Sequence, residues 1–411
     1  DCLDLPRVSY EGDLAVYSRV FEWGAACPGL TFVLPKAVGE FAENETKLVE
    51  SRHAGMHQVL LSGTAYTTVH EIRCAGKVKV VSAGDGVHVQ LPPFKTGETL
   101  QIRSWIMKTG TDINLPERPI PAPSTMIKGG RPYYEKTVMV EGVLDADPAA
   151  KGSGYAIDDI PVPVKNPYGV PMTASGLAFD AQGSAYISTL VGDVWKVTGL
   201  DGDLKDVIWR RFASGIPNPL GLEMVGQVLY VTAVGKIVKL HDLNHDGEAD
   251  YYERFTKAHL QLGGLGSENQ NLERDAAGNF YLCGSAGIFR ISPDGEKVER
   301  ISDGARNPLG LGVRPDGLAL SDSSEGSPEN GTCTIYESQH PENENSVSKR
   351  RRILYLPRGV DNSPGSRLFL DNAKFGPLGQ SILGTSYGSG RLYTILRDPN
   401  HGTPQAAMML L

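Results

Sequence analysis

The sequence contains no run of apolar residues near the roughly 18 needed to cross a bilayer, and no basic-then-apolar signal segment opens it. We therefore expect no membrane span, and either a cytoplasmic protein or a mature, exported form. Basic residues are also scarce, because 40 Lys and Arg oppose 48 Asp and Glu and leave a net charge of −8. This balance argues against a general binder of nucleic acid or anionic membranes.

Cysteine is also rare, with five residues at positions 2, 27, 74, 283 and 333. No Cys-x-x-Cys pair occurs, which argues against a zinc ribbon, a dithiol redox centre or attached c-type haem. The odd count leaves at least one thiol unpaired within the chain. Cys2 and Cys27 are candidates for a disulfide, although spacing alone does not establish it.

Glycine and proline, in contrast, are abundant, with 48 and 27 residues, and 21% of the chain is charged. This composition is typical of a turn-rich β protein, and 411 residues are ample for two domains. We predict an all-β protein with an N-terminal antiparallel β domain at 1–160, including a Pro-rich connector, and a β-propeller at 161–411.

An internal repeat carries the propeller prediction. Residues 211–224 and 300–313 share the core Asn-Pro-Leu-Gly-Leu at an offset of 89 residues, which fits two four-stranded blades of about 40 to 50 residues each. Strand–turn–strand units are visible near 172–200, 218–255, 269–298, 306–338 and 353–396. We expect six blades, so one blade is unaccounted for. It is built partly from N-terminal strands, or the chain is a truncated form of a longer protein.

The N-terminal region has a different sequence pattern, in which short strand candidates follow one another closely. They lie at 58–62, 67–72, 77–81, 87–91 and 99–105. Such spacing predicts a compact antiparallel sandwich or barrel. Four prolines within 116–123 predict an extended connector behind it.

The strongest chemical motif is the stretch 242–253, which matches the twelve-residue calcium loop. Gly247 permits the sharp turn at position 6. The predicted ligands, with Glu248 at position 7 included in the set, are Asp242, Asn244, Asp246, Glu248, Asp250 and Glu253. Strand-like alternation at 235–241 precedes the loop, so we expect a calcium site between β elements with a structural role. The alternative is an acidic surface turn. Calcium favours an extracellular or periplasmic location, because sites of extracellular modules work at high free calcium.

Several segments together resemble a family of secreted bacterial propellers described as glucose/sorbosone-dehydrogenase-like. The resemblance rests on residues 155–158, 192–197, 219–222, 240–250 and 360–363 and covers roughly 60% of the chain. It implies a six-bladed propeller related to quinoprotein sugar dehydrogenases, which use calcium and pyrroloquinoline quinone. The Cys-x-x-Cys-His haem segment of many relatives is absent, so any oxidation would need an external electron acceptor. The histidine base and arginine pair of true quinoprotein dehydrogenases have no residue-by-residue match here.

The sequence predicts the general class of function of this protein. A quinoprotein needs a base for the sugar hydroxyl and cations for the quinone carboxylates. The candidates on predicted strand connections are His245, His259, Arg274, Arg306 and Arg367, each of which is also explained by a structural role. We expect a secreted or periplasmic calcium propeller that acts on or recognises carbohydrate or another small molecule. The alternatives are a non-catalytic binding or assembly module and a carbohydrate hydrolase or lyase that uses channel acids.

Overall fold

The computed structural model describes the chain apart from residues 1, 36–46, 54–55, 84–85, 112–114, 116–119, 147–154, 261–269, 306, 325–332, 339–349, 358, 371–374 and 399–403. The described residues form thirty β-strands and two short 3-10 turns, Pro123–Thr125 and Gly376–Leu378, and they contain no helix long and apolar enough to span a membrane. The chain divides into two compact units, Asp1–Gly130 and Arg131–Leu411. The domain division that the sequence places at residue 160 stays a prediction.

The first unit consists of two antiparallel sheets. Its strands are β1 Cys2–Glu11, β2 Leu14–Trp23, β3 Thr31–Pro35, β4 Lys47–His53, β5 Met56–Ser62, β6 Tyr66–Cys74, β7 Lys79–Ala83, β8 Gly86–Gln90 and β9 Thr99–Lys108. The larger sheet has the order β1-β2-β9-β6-β5-β4 and the smaller one β3-β8-β7. Alternate residues of both sheets share one core that includes Trp23, Val59 and Val89. The predicted antiparallel β domain is thus confirmed as a sandwich of two sheets.

All five cysteines lie in the described part of the chain, and all are free thiols. The Cys2–Cys27 disulfide considered from the sequence is therefore not formed in this structure. Cys2 is exposed on β1, and Cys27 forms an isolated bridge with Phe94.

The second unit is a β-propeller. Its strands are β10 Thr137–Val140, β11 Ala174–Phe179, β12 Ala185–Thr189, β13 Val194–Thr198, β14 Val207–Ala213, β15 Leu222–Val225, β16 Val228–Ala233, β17 Lys236–His241, β18 Tyr251–Arg254, β19 Gln270–Arg274, β20 Phe280–Gly284, β21 Gly287–Ile291, β22 Val298–Asp303, β23 Leu311–Val313, β24 Ala319–Ser323, β25 Cys333–Ser338, β26 Arg351–Leu356, β27 Pro364–Phe369, β28 Ile382–Ser386, β29 Leu392–Asp398 and β30 Gln405–Leu410.

Five consecutive sheets form the blades of this unit. Blade one has the order β10-β14-β13-β12-β11, and blades two to five take the following strands four at a time in chain order. Each blade overlaps one of the five units predicted from the sequence, but the outer strands β10, β14, β26 and β30 lie beyond the units predicted for their blades. A sixth four-stranded sheet is not formed by the described residues, and it stays a prediction.

Hydrophobic cores lie between neighbouring blades. Phe212 of blade one packs with Leu240 of blade two, and the same pattern recurs between blades two and three, three and four, and four and five. The alternation within each strand places one set of apolar residues on each face. On the faces away from these cores, Leu177 of blade one and Leu368 of blade five are more than half exposed.

The glycine of the repeated Leu-Gly-Leu motif lets neighbouring inner strands approach closely. A Cβ on Gly221 would overlap the backbone of Asn271 and Leu272 on the next blade, and one on Gly310 would overlap the carbonyl oxygen of Gly365. The repeat therefore has a physical cause, because a side chain at this position would separate adjacent blades.

We expect the substitution Gly221→Ala to destabilise the second unit by about 2–3 kcal/mol, because it forces apart the backbones of two packed blades. Gly202→Ala is the matched control, since a Cβ there meets nothing within 4 Å. Its effect should stay within about 0.5 kcal/mol. Urea unfolding measures both changes. Equal midpoints for the two variants would show that the inner strands have room to separate.

Candidate functional site

A cleft of about 540 Å³ lies among the inner strands of the propeller and extends over the second strand of blade one, at Ile187, and the second and third strands of blade five, at Leu383 and Leu392. It is bounded by strands of blades one, two, three and five, and most of its wall is aliphatic, with Leu177, Leu222 and Leu368 among the contributors. A few polar residues interrupt this wall, and they are Ser175, Asn271, Glu273, Ser366, Arg367 and Thr385. Volume and lining together are those of a site for a small organic molecule.

A hydrogen bond crosses the floor of the cleft. The side-chain amide of Asn271 on β19 donates to the Ser366 hydroxyl on β27 over 2.8 Å and also to the Leu311 carbonyl oxygen on β23 over 3.3 Å. Asn271 has φ of 56°, in the left-handed region that asparagine tolerates better than most residues. These bonds hold three inner strands at fixed distances, so the polar wall of the cleft is preorganised.

Two glutamates on adjacent inner strands dominate the electrostatics here. Glu273 on β19 lines the cleft, and burial, together with the charge of Glu223, raises its pKa well above the usual value. Burial also raises the pKa of Glu223 on β15 to about 7, although Arg274 opposes this shift. Glu273 lines the cleft and Glu223 is not among its lining residues, although its charge acts on Glu273. A carboxyl group with a perturbed pKa at a cleft is typical of a proton-transfer site.

The Glu223 carboxyl also makes stability depend on pH. Its folded pKa of about 7 exceeds the unfolded value of 4.5, so its contribution is complete below pH 4.5 and is lost as the pH rises through 7. We expect Glu223→Gln to equal the wild type in stability at pH 4 and to exceed it by about 1–3 kcal/mol at pH 8. Urea titrations at the two pH values measure this. A variant no more stable than the wild type at pH 8 would contradict the raised pKa.

A buried charge cluster lies behind the cleft in blades four and five. The side chains of Asp322 and Arg367 are completely buried and form an ion pair over 3.3 Å. Burial raises the pKa of Asp322 to about 7 against the opposing charge of Arg367. Asp361 Oδ1 accepts bonds from the Ser386 hydroxyl over 2.7 Å and from the Ser363 amide over 2.9 Å. Because the cluster is inaccessible, we assign it a structural role that supports the cleft wall.

The structure describes four of the five candidate channel residues and places them apart from one another. Arg367 lines the cleft, and Arg274 lies beside Glu223, where its guanidinium is 5.8 Å from the centre of the Phe280 ring. His259 packs against the Gly235 turn of blade two. His245 lies within the acidic loop with φ of 59°, and Arg306 lies outside the described residues. Among the described candidates, Arg367 alone lines the cleft.

The predicted calcium loop connects β17 and β18, and its acidic side chains bond to the loop backbone. Asp242 accepts from the amides of Asp246 and Gly247 over 3.1 and 2.9 Å. Asp250 accepts from the amides of Leu243 and Asn244 over 2.7 and 3.3 Å. Burial, followed by the charges of Asp246 and Asp242, raises the pKa of Asp250. A cation would relieve this crowding of carboxylates.

Two of the six predicted ligands point elsewhere. Glu253 is on strand β18 and pairs with Lys239 over 3.0 Å and His241 over 2.8 Å, and Glu248 Oε2 accepts the Tyr134 amide over 2.7 Å. In the part of the chain that the structure describes, no three His, Cys, Asp or Glu side chains are arranged around one metal position. The residues available to hold calcium at this loop are thus Asp242, Asn244, Asp246 and Asp250, and calcium binding stays a prediction.

We expect Asp246→Ala to weaken calcium binding at least tenfold and to remove the thermal stabilisation that calcium confers, about 2.7 kcal/mol at a hundredfold excess over Kd. Asp203→Ala is the control, because Asp203 is an exposed loop acid that pairs with Lys205. Melting curves with calcium and with chelator measure both. Identical curves for wild type and Asp246→Ala under both conditions would exclude a stabilising metal site.

Searches of family models and of curated proteins give no match to this chain. Several solved structures are similar to it in fold. A proposed glucose-dehydrogenase-type oxidoreductase from Thermus thermophilus is 17% identical, with 58% of this chain and 84% of that chain covered and a TM-score of 0.41. The PQQ-bound aldose sugar dehydrogenase of Streptomyces coelicolor is 14% identical, with 57% and 81% covered and a TM-score of 0.43.

A gluconolactonase from Xanthomonas campestris is also similar, at 18% identity, with 58% of this chain and 75% of that chain covered and a TM-score of 0.38. At these identities and scores the similarity concerns the general arrangement of strands. The site residues of this chain must therefore be interpreted from its own geometry.

Proposed function

We propose that the propeller acts on carbohydrate in the cleft between its inner strands, through general acid–base chemistry. The observation that carries this proposal is Glu273, a carboxyl group with raised pKa that lines a cleft of about 540 Å³. Glu223 on the adjacent inner strand has a pKa of about 7, and its charge contributes to the raised pKa of Glu273. A site of this volume admits a small sugar. Hydroxyl and amide groups of Ser175, Asn271 and Ser366 supply neutral hydrogen-bonding partners for sugar hydroxyls.

The two carboxyl groups have different parts in this proposal. Burial and the charge of Glu223 raise the pKa of Glu273, so we assign Glu273 as the acid that gives a proton to the departing sugar oxygen as the C–O bond breaks. Glu223, with a pKa of about 7, is partly ionised at neutral pH and takes a proton from the attacking water or from a sugar carbon. Proton removal from water leads to hydrolysis, and proton removal from a sugar carbon leads to elimination. The class of activity is therefore hydrolase or lyase.

The described residues fit a quinone cofactor poorly. Pyrroloquinoline quinone carries carboxylates that need cationic partners, whereas Arg367 is already paired with Asp322, and Arg274 lies beside Glu223. The described lining of the cleft includes no histidine that could remove a hydroxyl proton. The donor set is acidic where the quinone needs positive charge. We therefore derive no step through the quinone.

Calcium and an extracytoplasmic location complete the proposal. The loop at 242–250 lies between two outer strands of blade two, away from the residues that line the cleft. Calcium there would stabilise the blade and would take no part in the reaction. A site made of four side chains suits the high calcium concentrations outside the cytoplasm, which supports a secreted or periplasmic protein.

The test is an activity screen of the purified chain against a panel of neutral and acidic oligosaccharides and polysaccharides, with calcium and with chelator. Release of reducing ends supports hydrolysis, and new ultraviolet absorbance of unsaturated sugars supports elimination. The same samples, supplied with pyrroloquinoline quinone and an artificial electron acceptor, test the oxidoreductase alternative. Absence of all three products would reject the catalytic proposal in favour of a binding module.

A further inference from the structure

A tyrosine cluster lies on the outer rim of blades one and two, apart from the cleft. Tyr133 precedes β10, and its side chain is largely open to solvent, with the residue 82% exposed. It meets Tyr134 edge to face, with ring centres 5.2 Å apart, and Tyr134 meets Tyr168 in the same way at 5.5 Å. Exposure alone does not mark a site, since Tyr387 is equally exposed. What distinguishes Tyr133 is the aromatic base on which its ring lies.

The support beneath Tyr133 is unusually firm for a segment outside a strand. The backbone amide of Tyr134 donates to Glu248, and the Tyr134 hydroxyl bonds to the Ser214 hydroxyl. The guanidinium of Arg211 lies 4.6 Å from the centre of the Tyr134 ring. Tyr168 fixes the next turn of chain, because its hydroxyl accepts the Lys136 amide and donates to the Lys136 carbonyl. The exposed ring is thus held on a preorganised base, which lowers the entropy lost on binding a ligand.

The chemistry of this cluster matches a sugar ring. A flat exposed ring accepts the apolar C–H face of a pyranose, and the neighbouring hydroxyl of Tyr134 and carboxylate of Glu248 suit sugar hydroxyls. The acidic loop that contains Glu248 disfavours polyanions. The cluster lies beside the end of β14, at Ser214, and the outer strand β18, at Tyr252, and it shares no residue with the described lining of the cleft.

We propose that Tyr133, supported by Tyr134 and Tyr168, is an accessory binding site for a neutral hexopyranose chain. The ligand class rests on the proposed carbohydrate function, whereas the site is separate from the cleft. It would hold a polymer on the rim, independently of any bond cleavage at Glu273.

The test is affinity electrophoresis of the full chain, with calcium present, in gels that contain laminarin, xylan, galactomannan or hydroxyethylcellulose. We expect at least one polymer to retard the wild type and Tyr133→Ala to bind it at least fivefold more weakly. Tyr387→Ala is the matched control, because Tyr387 is 83% exposed elsewhere on the propeller. We expect this variant to be retarded by the polymer as strongly as the wild type.

The outcomes separate this inference from the proposed function. Retardation that Tyr133→Ala leaves unchanged, or that Tyr387→Ala reduces equally, would overturn the accessory site, as would no retardation of the wild type by any of the four polymers. Glu273→Gln should be retarded like the wild type, since it alters the cleft alone. Loss of binding in Glu273→Gln with Tyr133→Ala unaffected would assign the polymer to the cleft and overturn the accessory site.

Discussion

Glu273→Gln is expected to lower turnover 10²- to 10⁴-fold on whichever glycan of the panel is cleaved, because the amide keeps the shape of the side chain but has no proton to transfer. The fold should be unchanged, since burial already favours the neutral form of Glu273. Glu296→Gln is the matched control on the same blade. Glu296 is exposed and pairs with Lys257 at the surface, so this variant should change turnover less than twofold.

The pH profile gives a second reading of the same pair. Activity should rise as Glu223 ionises near pH 7 and fall at higher pH as Glu273 loses its proton. In Glu223→Gln the rising limb near pH 7 should disappear. A Glu273→Gln enzyme that keeps more than half of the wild-type turnover would exclude Glu273 as the proton donor.

Arg367→Met is expected to destabilise the propeller by about 3–5 kcal/mol, because it leaves the fully buried Asp322 without its partner. Asp361 is buried in the same cluster and adds a second acid that Arg367 would no longer offset. The loss should appear as a lower urea midpoint for the second unit, followed by the fluorescence of Trp195 and Trp209.

Two further variants identify charge as the cause. Arg314→Met removes the partly exposed pair with Asp316 and should cost less than about 1 kcal/mol. The double variant Asp322→Asn with Arg367→Met removes the uncompensated charge and should recover part of the stability that Arg367→Met loses. If Arg367→Met cost no more than Arg314→Met, the buried pair would have no role in supporting the blades.

Strand positions could be predicted from the sequence because they follow from local patterns. The alternation at 58–62 and 99–105 and the Asp-Gly turns of the propeller units fix strands and hairpins through contacts between near neighbours. The repeated Leu-Gly-Leu motif also identified equivalent positions at the inner strands of blades two and four. Its close backbone approach explains why Gly221 and Gly310 recur.

The pair of Glu223 and Glu273 could not be predicted, because their raised pKa values depend on strands that meet only in the folded propeller. Glu223 occupies the position that Gly312 takes in the other copy of the repeat, and this difference was the one available signal. Its raised pKa arises from burial between blades, which no local pattern encodes. Glu273 likewise follows an ordinary strand sequence.

For Glu253, the calcium-loop spacing and the sheet register make different demands on one side chain. Spacing placed it at position 12 of the calcium loop, whereas strand β18 begins at Tyr251 and pairs His241 with Tyr251 and Lys239 with Glu253. The sheet register thus directs the Glu253 side chain to Lys239 and His241. A calcium loop flanked by helices has no strand pairing that competes for the side chain at position 12. The spacing of the motif therefore predicts the ligands less well when the loop lies between β-strands.

Hydrogen exchange followed by mass spectrometry, with each glycan of the panel at millimolar concentration, tests the central claim that the cleft binds carbohydrate. We predict that at least one glycan slows backbone exchange in peptides that contain Asn271–Glu273 and Ser366–Leu368, which line the cleft. Exchange in these peptides that stays unchanged with every glycan would contradict the assignment of the cleft as the carbohydrate site.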